Sequence, residues 1–219
     1  MNYLDATTAA LGLAYIVLEY RASIWMWAVG AVMQVLGIVL YFQKGLYADC
    51  GMEFYYLAMT AYGWWRWNHR SPDGTKAAGT DGSDVAITHI PLRTAMLWMA
   101  IAAGLWAAIW YVLSHFTDSN VPVADAFTTA LSLVGIWALA HKYLEQWLVW
   151  IAVDVVSCWL YFLKDIPFKA SLYGLYVVIA VAGFWRWRCL MNHDVASCQS
   201  HYPSAAHVAD ESPRHADEG

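Results

Sequence analysis

The sequence has few charged residues for its length. Only 13% of its 219 residues are Asp, Glu, Lys or Arg, whereas 60% are hydrophobic. A soluble domain carries about 25% charged residues, which help to cover its surface with polar groups. The shortage excludes an ordinary soluble domain and indicates that lipid covers most of the chain. No basic face points to nucleic acid as a partner.

Cysteine pairs and catalytic motifs are also missing. The four cysteines form no CxxC pair and no zinc-binding spacing. No GxSxG, HExxH or Walker loop is present, which argues against an enzyme and against ATP-driven transport within this chain. We therefore predict neither a bound cofactor nor a metal site.

Tryptophan and tyrosine, in contrast, are abundant, with fourteen of each. Their amphipathic rings collect at the interfaces of a bilayer, and a helix crosses the hydrocarbon core with about 20 apolar residues. Asp5 stands where a cleavable signal would carry Lys or Arg, so we interpret the first apolar stretch as a retained span. Seven stretches qualify as transmembrane helices: 5–20, 24–43, 52–68, 92–114, 123–141, 147–163 and 170–190.

The basic residues divide unequally between the two ends of these spans. Cytoplasmic loops carry an excess of Lys and Arg, and seven spans place the two termini on opposite sides. The N-terminal side carries Lys44, Lys164 and Lys169, and the C-terminal side carries Arg21, Arg66, Arg70, Lys76, Arg93, Lys142, Arg186, Arg188 and Arg214. We predict that the N-terminus lies outside and the C-terminus in the cytoplasm.

An internal repeat organises the chain. Residues 5–67 align without a gap with residues 125–187, at one constant offset of 120. Pairs of leucines match by chance in apolar helices, but longer strings with Gly, Trp, Arg and Lys do not. The clearest matched strings are Gly-x-Trp-Arg-Trp at 63–67 and 183–187, and Leu-Tyr-Phe-x-Lys at 40–44 and 160–164.

The repeat predicts an all-α integral membrane protein with a 3+1+3 arrangement of seven helices. Four crossings separate equivalent positions, so both repeats enter the membrane from the same side, and a pseudo-twofold axis runs along the membrane normal. Transporters use parallel repeats of this kind, with the substrate near the midplane; a duplicated bundle without a pathway is the alternative. We divide the chain into a first repeat (1–68), a cytoplasmic loop (69–91), a linker helix (92–114), a second repeat (122–190) and a disordered cytoplasmic tail (191–219).

Asp154 is the first candidate for function, because it lies in the middle of an apolar span. A charge at that depth costs at least about 2.5–3.5 kcal/mol, so it normally faces a cavity; a bond to a neighbouring helix is the alternative. Its repeat mate is Gln34, and we expect the two side chains to face each other across the axis. Trp150 lies one turn before Asp154 on the same helical face. Its ring suits a flat cation, unless it serves as an interfacial anchor.

Residues in the third helix of each repeat complete the predicted site. Tyr56, Thr60 and Tyr176 could add hydrogen bonds to a substrate, although a Tyr that faces lipid is equally typical of such helices. The strings Trp65–Trp67 and Trp185–Trp187 are interpreted as anchors at the cytoplasmic interface. Glu53 and Glu145 lie near span ends, where we expect water to solvate them.

Five short strings carry a resemblance to a known family. They are Leu46-Tyr47-Ala48-Asp49, Tyr62-Gly63-Trp64-Trp65-Arg66-Trp67, Trp147-x-x-Trp150-x-x-x-Asp154, Leu172-Tyr173 and Gly183-Phe184-Trp185-Arg186-Trp187. With these strings the chain resembles the PnuC-type vitamin transporter family over about residues 4–190. The resemblance implies seven helices in the 3+1+3 arrangement of the SWEET sugar transporters, located in the bacterial inner membrane.

The resemblance also implies a substrate. Family members move nicotinamide riboside by facilitated diffusion and feed pyridine nucleotide biosynthesis, because phosphorylation inside the cell traps the substrate; relatives move thiamine or riboflavin. The nicotinamide riboside members usually carry Asn where this chain has Asp154. A carboxylate lacks the amide donor and adds charge, which suits cationic nicotinamide riboside or thiamine better than neutral riboflavin. Thiamine therefore remains the alternative substrate, and the sequence leaves open whether the protein forms a homo-oligomer.

Three other classes are weighed against transport of a vitamin. A retinal photoreceptor needs a Lys deep in the last span, but Lys169 lies at its start and residues 172–185 contain none. A sugar carrier of the SWEET kind would leave Asp154 without a charge to balance. A membrane enzyme is disfavoured because no catalytic motif is present.

Overall fold

A computed structural model of the chain describes residues 3–43, 45, 47–68, 85–117, 121–163, 165 and 167–201. Seven α-helices account for most of these residues, which confirms the predicted all-α fold, and each of the seven predicted stretches is helical. One isolated β-bridge is the only extended pairing within them. The helices are α1 (Tyr3–Tyr20), α2 (Trp25–Gln43), α3 (Tyr47–Asn68), α4 (Leu92–Phe116), α5 (Pro122–Ala140), α6 (Gln146–Leu163) and α7 (Pro167–His201).

Five of the helices are long and apolar enough to cross a membrane by length and composition alone, namely α2, α4, α5, α6 and residues 169–192 of α7. The apolar part of α1 is shorter and covers Leu11–Tyr20. The helix α3 is less apolar because it contains residues such as Glu53 and Arg66. Both weaker spans supply acidic side chains to the walls of the cavities described below.

The packing of the helices follows the predicted 3+1+3 order. Within each repeat the first helix packs on the second and the second on the third, while α4 packs on α5. Across the repeats α3 packs on α5, and α1 packs on α7, which is the equivalent contact after a shift of one repeat. A hydrogen bond from Tyr55 Oη to the carbonyl of Leu133 (3.0 Å) ties α3 to α5. The pseudo-twofold axis therefore relates contacts as well as sequences.

The two turns that join the first and second helices of each repeat have the same backbone. Ala22 (φ 53°) and Lys142 (φ 58°) both adopt the left-handed conformation, 120 residues apart. The hydrogen bond from Ser23 N to Leu18 O has its counterpart from Tyr143 N to Ala138 O. A bond of this span closes a helix end in the Schellman manner. The backbone thus repeats even where the side chains differ.

Four tryptophans at equivalent repeat positions form a buried cluster that we call the tryptophan cluster: Trp27, Trp67, Trp147 and Trp187. Neighbouring ring centroids are 5.5 Å (Trp27 to Trp67), 6.3 Å (Trp67 to Trp187) and 5.6 Å (Trp147 to Trp187) apart. The indole nitrogen of Trp67 donates to Ala140 O, and that of Trp187 donates to Glu19 O. Each bond joins one repeat to the other.

This cluster corrects part of the interpretation of the Trp-Arg-Trp strings. Trp65 and Trp185 are exposed, as anchors in the interface should be, but Trp67 and Trp187 are completely buried. Residues two apart on a helix point in nearly opposite directions, since each residue turns the helix by about 100°. Only one tryptophan of each string can therefore face the lipid.

The end of the predicted 69–91 loop is ordered against the turn between α5 and α6. Residues 69–84 lie outside the described part, but Thr88 forms a bridge with Tyr143, and Lys142 Nζ donates to Val85 O at 2.7 Å. Glu145 accepts from Ile90 N (3.0 Å) and contacts His89 Nδ1 at 2.7 Å. Glu145 was predicted to be solvated, and its side chain is 31% exposed; the returning loop supplies partners in addition.

The C-terminal end of α7 also differs from the prediction. Disorder was expected from residue 191, whereas the helix continues to His201. Helix propagation needs only one further hydrogen bond for each residue that is fixed, and no Pro or Gly follows Gly183 until Pro203. A proline disfavours helical backbone in the residue before it, so the end of the helix fits the sequence. Residues 202–219 of the predicted tail lie outside the described part.

Candidate substrate-binding cavity

A cavity of about 400 Å³ lies between the two repeats. All six repeat helices contribute to its wall, whereas α4 does not. A second cavity of about 290 Å³ adjoins it. Tyr15, Met33, Tyr56 and Trp150 line both, so the two spaces meet at these side chains. Ligand pockets typically have about 300–1,000 Å³, which gives the larger cavity room for a small molecule.

The predicted site residues are divided between the two cavities. Trp150, Asp154, Tyr56 and Tyr176 line the larger one. Gln34 lines the smaller one, so it and its repeat mate Asp154 occupy adjoining spaces.

Thr60 is the one predicted site residue that lines neither cavity. It is buried, and a side chain on Gly30 would meet its hydroxyl at 3.6 Å. Its position therefore points to packing between α2 and α3 rather than to contact with a substrate.

The electrostatic character of the two cavities is acidic. Glu19 and Asp154 line the larger cavity, with only 5% and 8% of their surfaces exposed, and Glu53 lines the smaller one. Among the described residues that line either space there is no Lys, Arg or His. A buried charge is stable only with a partner, so a cation in these cavities would be stabilised. Glu53 was predicted to be solvated near a span end; the structure places it in the wall of the smaller cavity.

Several buried polar atoms around the cavities have no hydrogen-bond partner within the described part of the chain. They include donors and acceptors, and leaving such a group unsatisfied costs about 1–3 kcal/mol. A polar ligand could satisfy them. The unpaired atoms that belong to cavity-lining residues are Oε1 of Glu19 and Gln34, and Nε1 of Trp147 and Trp150.

Two of the three aromatic residues shared by the cavities, Tyr15 and Trp150, break the symmetry of the repeats. Trp150 corresponds to Gly30, and Tyr15 corresponds to Gly135. A side chain at Gly135 would meet the Trp150 ring at 3.3 Å, and one at Gly30 would meet the Tyr15 ring at 3.2 Å. Each ring thus lies against a glycine in its own repeat. Sequence inspection missed Tyr15, although its pairing with a glycine at the repeat offset was visible.

Glu19 and Gln146 were also missed. Both stand next to the end of an apolar stretch, where a polar residue is ordinarily solvated, so nothing in the local pattern distinguishes them. Both residues are buried by contacts between the repeats: α1 packs on α7, and the turns that follow α1 and α5 pack on the tryptophan cluster. Among the described residues, no group of three His, Cys, Asp or Glu side chains is placed to hold a metal ion.

Two parallel three-helix repeats around a polar, ligand-sized cavity define a small-solute membrane transporter. Residues 2–189 match the family model described as nicotinamide mononucleotide transporter. The chain therefore belongs to that family, whose members are transporters and not enzymes.

Individual relatives agree with the family assignment but differ in substrate. The riboflavin/roseoflavin transporter RibM of Streptomyces davaonensis is 29% identical over 84% of this chain and 83% of its own length. The nicotinamide riboside transporter PnuC of Escherichia coli is 22% identical, over 85% of each chain. The crystal structure of a vitamin B3 transporter PnuC has the same fold, with a TM-score of 0.66 and 20% identity over 88% of this chain and 83% of that one.

Proposed function

We propose that this protein carries nicotinamide riboside across the bacterial inner membrane by facilitated diffusion, and that phosphorylation inside the cell traps the substrate. The observation that carries the proposal is the acidic cavity beside an indole ring, without a basic residue among its described lining. Nicotinamide riboside is a flat pyridinium cation. Trp150 would stack on its ring, and Asp154, one turn further along α6, would balance its charge.

The charge of nicotinamide riboside distinguishes it from the mononucleotide that the family description names. A mononucleotide carries a phosphate, which would face Glu19 and Asp154 without a cation to pair with. Like charges repel more strongly in a poorly solvated cavity than in water. We therefore favour the nucleoside over its phosphate ester. Thiamine is also an aromatic cation and is the alternative substrate.

Riboflavin is a second candidate, because RibM is the relative of higher identity. Its neutral ring system could stack on Trp150 and Tyr15 and use the unpaired donors and acceptors of the wall. It brings no cation to Glu19 and Asp154, however, so neither carboxyl group would contribute a charge-assisted contact to its binding.

Alternating access is proposed to follow the repeat boundary. Trp147 belongs both to the cavity wall and to the tryptophan cluster, so the cluster would close the cavity at this end. Rocking of one repeat against the other, as in other transporters built from repeats, would then separate the paired tryptophans and open that end.

Uptake by the purified protein should be independent of ATP and should stop at equal concentrations on both sides. The reason is the absence of a nucleotide-binding loop from the sequence. Proteoliposomes loaded with buffer and given labelled nicotinamide riboside would test this. Because intramembrane carboxylates can relay protons, accumulation above equilibrium in an imposed pH gradient would contradict facilitated diffusion.

The termini are proposed to lie on opposite sides, with the C-terminus in the cytoplasm, on the basis of the three-to-nine division of basic residues. An alkaline phosphatase fused after Gly219 should therefore be inactive in cells, and a green fluorescent protein fused there should fluoresce. Phosphatase activity at this position would contradict the orientation.

A further inference from the structure

We propose that Glu19 forms a second polar subsite of the cavity, which accepts a hydrogen bond from an N–H donor on the aromatic ring of the substrate and excludes ring carboxylates. The inference rests on the proposed function and adds a specificity residue to it. Nicotinamide riboside carries such a donor in its carboxamide, and thiamine carries one in its aminopyrimidine.

Glu19 is built into the wall but is not used by the fold. Its Oε1 has no hydrogen-bond partner within the described chain, and 95% of the residue is buried. Its backbone carbonyl accepts from Trp187 Nε1 at 3.1 Å and from Ala22 N at 2.9 Å, and its side chain interacts with Gln146. A buried carboxylate oxygen without a donor is costly, so a ligand that supplies the donor would be bound firmly.

The other repeat shows that this position needs no carboxylate. The mate of Glu19 is Leu139, which is fully buried and whose carbonyl accepts from Lys142 N at 2.9 Å. The backbone of the two turns is the same. A leucine is therefore compatible with the backbone of this turn. The turn does not require the carboxylate of Glu19, which is consistent with a role in binding.

The location of Glu19 fits a ligand that spans the cavity. Glu19 lies at the end of α1 beside the tryptophan cluster, near Trp147, whereas Asp154 follows Trp147 by two turns of α6. Seven residues of helix extend about 10 Å. A substrate held by its charge at Asp154 and stacked on Trp150 could thus direct its ring substituent toward Glu19.

Gln146 is proposed to position the carboxylate of Glu19 from behind. It is completely buried and interacts with the side chain of Glu19, and neither of its amide atoms has a different hydrogen-bond partner within the described chain. It is absent from the cavity wall. Its amide N–H is available to hold one carboxylate oxygen while the other receives the donor of the ligand.

The test compares two probes that differ only at the ring substituent. Nicotinamide riboside has a carboxamide, and nicotinic acid riboside has a carboxylate in its place. Calorimetric titration of the purified full-length protein should show a preference for the amide on the order of 100-fold, because the acid meets two carboxylates. In Glu19→Gln the preference should fall by about tenfold, since one source of repulsion and one charged hydrogen bond are removed.

Two further variants separate recognition from folding. Glu19→Leu should keep the melting temperature, as the Leu139 turn implies, while it loses the preference for the amide in the same way. Asp125→Asn, which removes an acid at the start of α5 outside the walls of both cavities, should leave the preference for the amide unchanged. An unchanged preference in Glu19→Gln would overturn the subsite while nicotinamide riboside binding stands. A lower melting temperature in Glu19→Leu would assign Glu19 to the fold. Failure of the unaltered protein to bind nicotinamide riboside would instead remove the proposed function, and with it the subsite.

Discussion

Substituting Asn for Asp154 is expected to weaken the binding of a cationic vitamin by about 1–3 kcal/mol, because a charged hydrogen-bond partner is lost. Substituting Ala for Trp150 should cost about 0.5–2 kcal/mol in cation–π attraction alone. Both residues line the larger cavity, and the Nε1 atom of Trp150 has no partner in the described protein. The affinity for thiamine should fall more than that for nicotinamide riboside in Asp154→Asn, since Asn is the residue that the nicotinamide riboside carriers usually have. Calorimetry on the purified variants measures both effects.

Matched controls are available on the same and on a neighbouring helix. Trp159→Ala removes an exposed indole from α6, and Asp125→Asn removes a carboxylate from α5 outside both cavity walls. Neither change should alter the affinity. If Asp154→Asn and Trp150→Ala bind as tightly as the unaltered protein, these two residues do not belong to the binding site.

Substituting Ala for Gly63 or Gly183 is expected to destabilise the protein by about 3 kcal/mol, as overpacking of a tight core does. The added methyl group of Gly63→Ala would overlap the ring of Trp27, and that of Gly183→Ala would overlap the ring of Trp147. Both rings belong to the completely buried tryptophan cluster, so neither has space to withdraw. Thermal unfolding followed by tryptophan fluorescence in detergent would show the loss.

Glycines elsewhere on the same two helices supply the control for this change. A methyl group on Gly51 of α3 would meet nothing within 4 Å, and one on Gly174 of α7 would meet Cys158 Sγ at an ordinary 3.8 Å. Alanine has the higher helix propensity, by about 1 kcal/mol, so Gly51→Ala and Gly174→Ala should leave the melting temperature the same or raise it. Equal melting temperatures for all four variants would contradict the proposed packing of the cluster.

The helices and their order were predictable because the lipid bilayer requires long apolar helices and the internal repeat relates one half of the chain to the other. Lipid demands long apolar segments, and all seven predicted segments are helical in the structure. The constant offset between the repeats then fixed which helices correspond, and the paired left-handed turns at Ala22 and Lys142 repeat that correspondence in the backbone. The end of α7 was set too early, because the loss of apolar character near residue 191 was interpreted as the loss of helix.

The candidate site was only partly predictable. Asp154 and Trp150 stand out because polarity in mid-span is unusual, and both line the larger cavity. Glu19, Gln146 and Glu53 do not stand out, since acids and amides near span ends are normally solvated. Their burial depends on which helix faces which, and in particular on the contact between α1 and α7, which the sequence of one chain does not specify.

The burial of Trp67 and Trp187 also depends on contacts between the repeats. Composition predicts that a Trp beside an Arg at a span end meets the interface, and this holds for the exposed Trp65 and Trp185. Whether the tryptophan two residues further on turns inward depends on a hydrogen-bond partner for its indole N–H. The carbonyls of Ala140 and Glu19 provide that partner, and both belong to the other repeat, far away in sequence.

Calorimetric titration of the purified, unaltered protein with nicotinamide riboside, thiamine and riboflavin tests most directly the claim that the acidic cavity selects an aromatic cation. The account predicts that nicotinamide riboside binds most tightly, that thiamine binds measurably, and that riboflavin binds more weakly than both, because it cannot balance the carboxylates of Glu19 and Asp154. Tighter binding of riboflavin than of either cation would contradict it.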